Sequence, residues 1–463
     1  MRALLLICLL LLNTAVAEDR LQVEGYPLEN GLQLLLKPTA DRGHVAIRLV
    51  VGVGFDQFDC RNKELPHLLE HLLFSGIDDS GEAGLEAKMQ ALGGEWNAYT
   101  RSSDTAYVLE VPARNQRAAL DLLLASLINT ELTDAKLAAA KQVIERENGG
   151  HYSNLQRLLD QQNTTRDAHQ QLAVELGLEC PERAQVDDLQ LEQLERLRQD
   201  WYVPNNMTLI VVGDLDPLLP AYLERSYGDL PAGTVQEPRE LPEAGDNAAE
   251  RRTLTTGLLG DTASLHWLLP EPWVGEHDHE TWELLRDYLD WQLYQTLRLE
   301  QPLSYGPWSA RNVFGTSSFF SLNAKLERQD VAQAEQILRQ LGARLTAEGL
   351  DAETFERLRD AAITRLAWAT QGNSALADYY WNALGDYQNG RFSDSAVGLR
   401  AVTLEQANAA VRLLFKTPGY LRIEQPLLSS TQLYALAGLL GALLVLGLLV
   451  LGVPGLRRWR ARR

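Results

Sequence analysis

Leu65-Pro66-His67-Leu68-Leu69-Glu70-His71-Leu72-Leu73-Phe74 has the apolar spacing of a helix and carries two histidines four residues apart. Two such residues lie on one helical face, one turn apart, where both imidazoles can grip a single metal ion. Glu70 neighbours both histidines and suits the work of a general base on water. A catalytic zinc needs a third protein ligand and one open position. Only eight histidines exist in the chain, so two of them in this one pattern carry weight. The alternative is an amphipathic helix with two unrelated histidines, and the surrounding sequence decides between the two.

Upstream, the turn dipeptide Asn30-Gly31 precedes the apolar run Leu32 to Leu36, and Val45 to Val51 forms a second strand that stops at Gly52. Downstream, Leu85 to Leu92 is helical. Tyr99 to Val111 alternates like a strand, with Thr105, Tyr107, Leu109 and Val111 on one face. Helices follow near Arg117 to Leu127 and Asp134 to Glu147. A longer helical region runs to Tyr202, and Met207 to Val212 reads as a strand. Residues 231–250 are rich in Pro, Gly and acids without apolar periodicity, which marks a linker. Beyond it the order resumes: strands from Thr253 to Leu269, a helix from Glu280 to Arg298, a strand from Ser317 to Leu326, helices to Leu414, and a strand near Tyr420 to Ile423. The pattern predicts an α+β fold of two similar halves, 18–232 and 251–430, joined by 233–250. Each half is expected to be a mostly antiparallel sheet covered by helices.

The ends speak to compartment. Met1 to Ala17 has Arg2, an apolar stretch and Ala15-Val16-Ala17, the pattern of a secretory signal peptide, and Cys8 lies inside it. Leu433 to Val453 is 21 residues without a charge, long enough to span a bilayer as a transmembrane helix. The basic tail at 454–463 holds Arg457, Arg458, Arg460, Arg462 and Arg463, which fixes that side as cytoplasmic. These features predict a single-pass protein of the bacterial inner membrane with a periplasmic ectodomain, a eukaryotic counterpart being the other possibility. Cys60 and Cys180 remain after cleavage, and either a disulfide or two free thiols fits. The chain is 45% hydrophobic and 23% charged, enough for a sizeable core. With 43 Lys plus Arg against 62 Asp plus Glu, its net charge of −19 argues against nucleic-acid binding. No phosphate-binding loop, nucleophile elbow or dinucleotide fingerprint is present.

H-x-x-E-H is the inverted zincin signature, and the residues around it resemble the pitrilysin, or insulinase-like, metallopeptidase family. Val143-Ile144-Glu145-Arg146-Glu147 resembles that family's V-I-x-x-E helix, with Glu147 standing 76 residues after His71. The resemblance implies one Zn²⁺ per chain on His67, His71 and Glu147, with Glu70 as the catalytic base. Glu145 is the competing carboxylate, about 200° around the helix from Glu147. Asn30-Gly31-Leu32 resembles the family's opening turn. Gly93-Gly94-Glu95-Trp96-Asn97-Ala98-Tyr99-Thr100 resembles its G-G-x-x-N-A-x-T segment, where an edge strand pairs with extended substrate, so Asn97 and Ala98 are implied substrate contacts. Leu297-Arg298 and Leu303-Ser304-Tyr305 resemble its L-R-x-x-x-x-L-x-Y segment. Carried over, Tyr305 hydrogen-bonds the developing oxyanion and Arg298 holds a substrate carbonyl.

The implied protein is a membrane-anchored zinc endopeptidase whose halves enclose a chamber for short or unfolded peptides. A peptide-binding or assembly scaffold with weak catalysis is the alternative. The expected partners are peptide substrates and the membrane, with a second copy or a related family subunit left open. Two departures from the family pattern bear on activity. Many members place an acid seven residues before the third ligand, where this chain has Ala140. Asn148-Gly149-Gly150 also ends or bends the helix at once after Glu147.

Overall fold

The computed structural model describes residues 19–78, 80–151, 153–161, 166–245 and 250–460. The signal-peptide stretch 1–17 and the tail residues 461–463 lie outside the described residues. The chain forms two compact units.

The first unit is built on a six-stranded sheet. Its strands are β1 (Glu24–Pro27), β2 (Gln33–Pro38), β3 (His44–Val51), β4 (Glu95–Thr100), β5 (Thr105–Pro112) and β6 (Met207–Gly213), in the order β1-β2-β6-β3-β5-β4. Only β2 and β6 run parallel. The alternation of a strand sends neighbouring side chains to opposite faces, and here both faces are covered. Leu34, Leu36, Ile47, Leu49, Leu109 and Val211 pack under a helical layer. That layer comprises α1 (Leu65–Leu73), α2 (Gly81–Ala91), α3 (Gln116–Asn129), α4 (Asp134–Glu147) and α5 (Leu191–Trp201). On the reverse face, Leu35, Ala46, Val50, Ala106, Ile210 and Val212 meet Leu376, Ala377, Tyr380, Trp381 and Phe392. Those covering residues belong to Ile363–Val397, a segment far along the chain. Arg48 is buried between the layers and donates from Nε to Asp378 at 2.7 Å and from a terminal nitrogen to Glu110 at 2.7 Å.

The second unit has five strands, β7 (Arg251–Thr255), β8 (Thr262–Pro270), β9 (Trp308–Phe314), β10 (Ser317–Glu327) and β11 (Tyr420–Gln425). Their order is β7-β11-β8-β10-β9, with β7 and β11 parallel and the rest antiparallel. This repeats β2-β6-β3-β5-β4 in order and in strand sense, so the two halves share one topology. The exchange of segments is reciprocal. Ser153–Glu182 belongs to the second unit, where Ala168, Leu172 and Ala173 pack on Leu268, Phe319 and Tyr420.

Three expectations need correction. Tyr99 to Val111 is a hairpin and not one strand: the Arg101 N–H donates to the Asp104 carbonyl at 2.8 Å, closing a turn through Ser102 and Ser103. The inward face passes from even positions in β4 (Trp96, Ala98, Thr100) to odd positions in β5 (Thr105, Tyr107, Leu109, Val111), a change of phase that marks the reversal. Thr253 to Leu269 holds strands as expected, β7 and β8, but β9 was not foreseen. The helix from Glu280 to Arg298 is α-helical over Asp278–Leu293 and widens into π-helical turns over Tyr294–Glu300. Cys60 and Cys180 are both disulfide-bonded. The last helix, Ser430–Arg460, includes a 19-residue stretch, Ser430–Leu448, of mean hydropathy 1.8 with nothing packed over it. By length and composition it is fit to cross a bilayer, and it is not a buried core helix.

Candidate metal centre

α1 starts after Glu64 with Pro66 in its first turn, where a missing N–H costs nothing. Leu65, Leu68, Leu69, Leu72 and Leu73 bury one face, which turns His67 and His71 toward the open side. α4 is capped by the Thr133 hydroxyl, which accepts from the Lys136 N–H at 3.3 Å. Leu137, Ala140 and Ile144 fix its buried face. Glu147 is its last residue. Beyond it the Gly149 N–H donates to the Arg146 carbonyl at 3.0 Å and the Gly150 N–H to the Glu145 carbonyl at 2.8 Å. These two bonds form a Schellman cap, which requires the positive φ of +86° found at Gly149. Arg183 donates to the carbonyls of Asn148 and Gly150, satisfying the helix end. The glycine pair therefore stops the helix where the Glu147 carboxylate stands.

His67 Nε2 and His71 Nε2 are 3.2 Å apart, and each is 3.4 Å from a single Glu147 carboxylate oxygen. Tetrahedral zinc at about 2.0–2.2 Å from its ligands spaces the donor atoms about 3.3 Å apart, so this triangle fits the ion. His67 Nδ1 donates to Glu64 at 2.9 Å, which leaves the Nε2 lone pair facing the triangle. Two imidazole lone pairs and a carboxylate converging this closely call for a cation. Among the described residues, His67, His71 and Glu147 are the group so disposed. Glu145 faces away, 3.5 Å from His151.

Glu70 is 8% exposed beside this triangle. The Thr100 hydroxyl, at the end of β4, donates to its Oε2 at 2.6 Å. Burial pushes the Glu70 carboxyl up, against the Thr100 hydrogen bond and the two imidazoles, which pull it down. For His67, burial disfavours the charged ring, but Glu64 by hydrogen bond and charge, then Glu70 and Glu147, hold its pKa above the ordinary value. The hydroxyls of Tyr107 and Tyr202 pair at 3.0 Å in the wall, both raised chiefly by burial. Sequence reasoning missed Glu64, Thr100 and Arg183.

Asn97 and Ala98 lie on β4, the edge of the first sheet. The Ala98 N–H donates to the Asn97 side-chain oxygen at 2.9 Å. In the second unit, Arg298 donates to the Tyr305 carbonyl at 2.8 Å and stacks its guanidinium 4.3 Å from the Tyr305 ring centre. The Tyr305 side chain is 84% exposed.

Residues 34–182 match the family described as Insulinase (Peptidase family M16), and residues 188–362 match its companion, the Peptidase M16 inactive domain. The chain belongs to this pitrilysin/insulinase-like family. It is 26% identical over 389 residues to the probable zinc protease PqqL of Escherichia coli, covering 77% of this chain and 40% of the relative. The crystal structure of that periplasmic protease superposes with a TM-score of 0.68 at 20% identity, over 90% of this chain and 49% of PqqL. The chain thus spans about half the length of that relative or less. The uncharacterized zinc protease YmxG of Bacillus subtilis is 20% identical over 402 residues, covering 85% of this chain and 96% of YmxG. A protease from Helicobacter pylori shares the fold with a TM-score of 0.70 at 16% identity, over 88% of this chain and all of the other.

Proposed function

We propose that the protein is a zinc-dependent endopeptidase, anchored by its C-terminal helix with the catalytic units on the periplasmic side, that hydrolyses peptides or unfolded segments. The observation that carries this reading is the convergence of His67, His71 and Glu147 into a donor triangle of zinc dimensions beside a buried, hydrogen-bonded Glu70. The three residues would hold one zinc ion per chain. Bound there, zinc supplies Lewis acidity that polarises a scissile carbonyl and acidifies water. Glu64 holds the His67 ring in the tautomer that offers Nε2. Thr100 holds one oxygen of Glu70, leaving the other to accept a proton from the attacking water and return it to the leaving amine. The free edge of β4 suits an extended substrate, with the Asn97 side chain releasing the Ala98 N–H to a new strand. Tyr305, exposed and braced by Arg298, is the proposed oxyanion donor.

The scaffold reading draws on Ala140 and on the match of residues 188–362 to an inactive domain. Against it stands Glu64, an acid placed on a zinc-site histidine where position 140 offers none. A quenched peptide library assayed with chelator, and again after zinc is restored, separates the readings. Metal-dependent cleavage is expected, and Glu70→Gln should keep zinc while losing about 10²- to 10⁴-fold in turnover. Cleavage that survives both treatments would leave the endopeptidase reading without its site.

A further inference from the structure

Leu258 and Leu259 occupy the loop between β7 and β8, and they are 77% and 52% exposed. This loop is tied to the segment that leads into the apolar helix. The Leu427 N–H donates to the Gly257 carbonyl at 2.9 Å, the Leu428 N–H to the Leu258 carbonyl at 3.0 Å, and the Gly260 N–H to the Leu428 carbonyl at 3.0 Å. The Ser430 N–H, at the helix start, donates to Asp261 Oδ1 at 2.8 Å. Four hydrogen bonds thus fix the loop to the foot of the helix. Leu427, 54% exposed, adds a third leucine there, and Tyr434, 75% exposed, stands one turn along.

Charge is absent from the two segments that carry these leucines. No charged residue occurs at 256–260 or anywhere from 425 to 448. Asp261 is engaged as the helix cap, its carboxyl held low by hydrogen bonds from Ser430 and by the charge of Arg328, and Glu327 and Arg328 line the cleft at the helix foot with it. Scattered single leucines on a surface need no explanation. Three held by backbone hydrogen bonds at the foot of an uncovered apolar helix, with a tyrosine at the level where aromatic residues border a bilayer, do.

We propose that Leu258, Leu259 and Leu427 form a lipid-inserting collar that seats the second unit on the outer leaflet at the point where the chain enters the bilayer. The proposal rests on the anchor reading above. Its function is orientational: a lone helix lets an ectodomain swing, whereas a loop inserted beside it adds a second contact and holds the unit against the membrane.

The test uses the full-length protein in vesicles of phosphatidylethanolamine and phosphatidylglycerol. Both cysteines among the described residues are already disulfide-bonded, so a single added thiol takes an environment-sensitive fluorophore selectively. Leu258→Cys, Leu259→Cys and Leu427→Cys are labelled in turn, with Leu440→Cys reporting on the helix itself. All four side chains are exposed, so the fold tolerates them. The collar labels should show blue-shifted emission, quenching by spin label near the lipid headgroup, and protection from aqueous iodide. If Leu440→Cys is quenched by lipid but the collar labels answer only to iodide, the collar is overturned and the anchor stands. If Leu440→Cys is not quenched by lipid, the anchor falls and takes the collar with it.

Discussion

Glu147 ends its helix with its carboxylate on two imidazoles, while Glu145, two positions earlier, turns to His151. Glu147→Gln should therefore strip zinc and Glu145→Gln should not. Metal analysis of the two purified variants checks this, and the reverse pattern would reassign the ligand. Glu64 acts one atom further out. With Glu64→Gln the His67 ring loses its anionic partner, and zinc affinity should fall about 10- to 100-fold in competition with a chromophoric chelator. Unchanged affinity would reduce Glu64 to a helix-start residue. Tyr305→Phe should depress kcat with little change in KM, by about 2–4 kcal/mol if the hydroxyl serves the transition state as other oxyanion donors do. Arg298→Ala should also impair turnover, through the loss of its bond to the Tyr305 carbonyl; a normal kcat in both variants would exclude the pair from the chemistry. At this scale the sequence was legible where partners are local. His67, Glu70 and His71 share one helical turn, so their spacing alone brought them together. Glu64 was legible by the same rule, an acid three residues before His67, and was overlooked. Arg183 carried no such signal, because its partners Asn148 and Gly150 lie more than thirty residues back in the chain.

The end of α4 is the element on which the metal centre turns. Gly149 has φ +86° with nothing near the site a Cβ would occupy, so substitution meets backbone strain and no clash. Gly149→Ala should cost about 1–2 kcal/mol, lowering the thermal midpoint, and should lower zinc occupancy by loosening Glu147. Gly177, with φ +75° in equally open space, is the control. Gly177→Ala should carry the strain without the zinc effect, and equal zinc loss in both would unlink the cap from the ligand. The bounds of α4 were readable from sequence because both signals are local, a threonine cap before it and two glycines after it. The β4–β5 hairpin was missed. Its turn residues Arg101-Ser102-Ser103-Asp104 include no glycine or proline, and the signal that was there, the switch of the inward face from even positions (Trp96, Ala98) to odd ones (Thr105, Tyr107), was overlooked, and with it the reversal that makes β4 an edge.

In the whole molecule, the repeated strand order was foreshadowed by the resumption of strands and helices after the linker, but the exchange of segments was not. Nothing local in Leu376, Tyr380, Trp381 or Phe392 says that they cover a sheet whose last strand ended at Gly213. A cut at the linker therefore does not release a self-sufficient half. Residues 19–240 expressed alone should bind a hydrophobic dye, melt without cooperativity and hold zinc poorly, since Leu35, Val50 and Ile210 lose their cover and Arg48 loses Asp378. Fusing residues 363–397 to that piece should restore a cooperative melt. A soluble 19–240 piece with a sharp melt and full zinc binding would show the cover to be dispensable. The same exchange sets a timetable. When residue 240 leaves the ribosome, His67, Glu70, His71 and Glu147 have all been made, but Trp381 is still about 140 residues away, on the order of ten seconds at ordinary elongation rates. Through that interval the nascent chain holds an uncovered apolar sheet face open to wrong contacts, and the first unit cannot be completed before most of the polypeptide has been delivered.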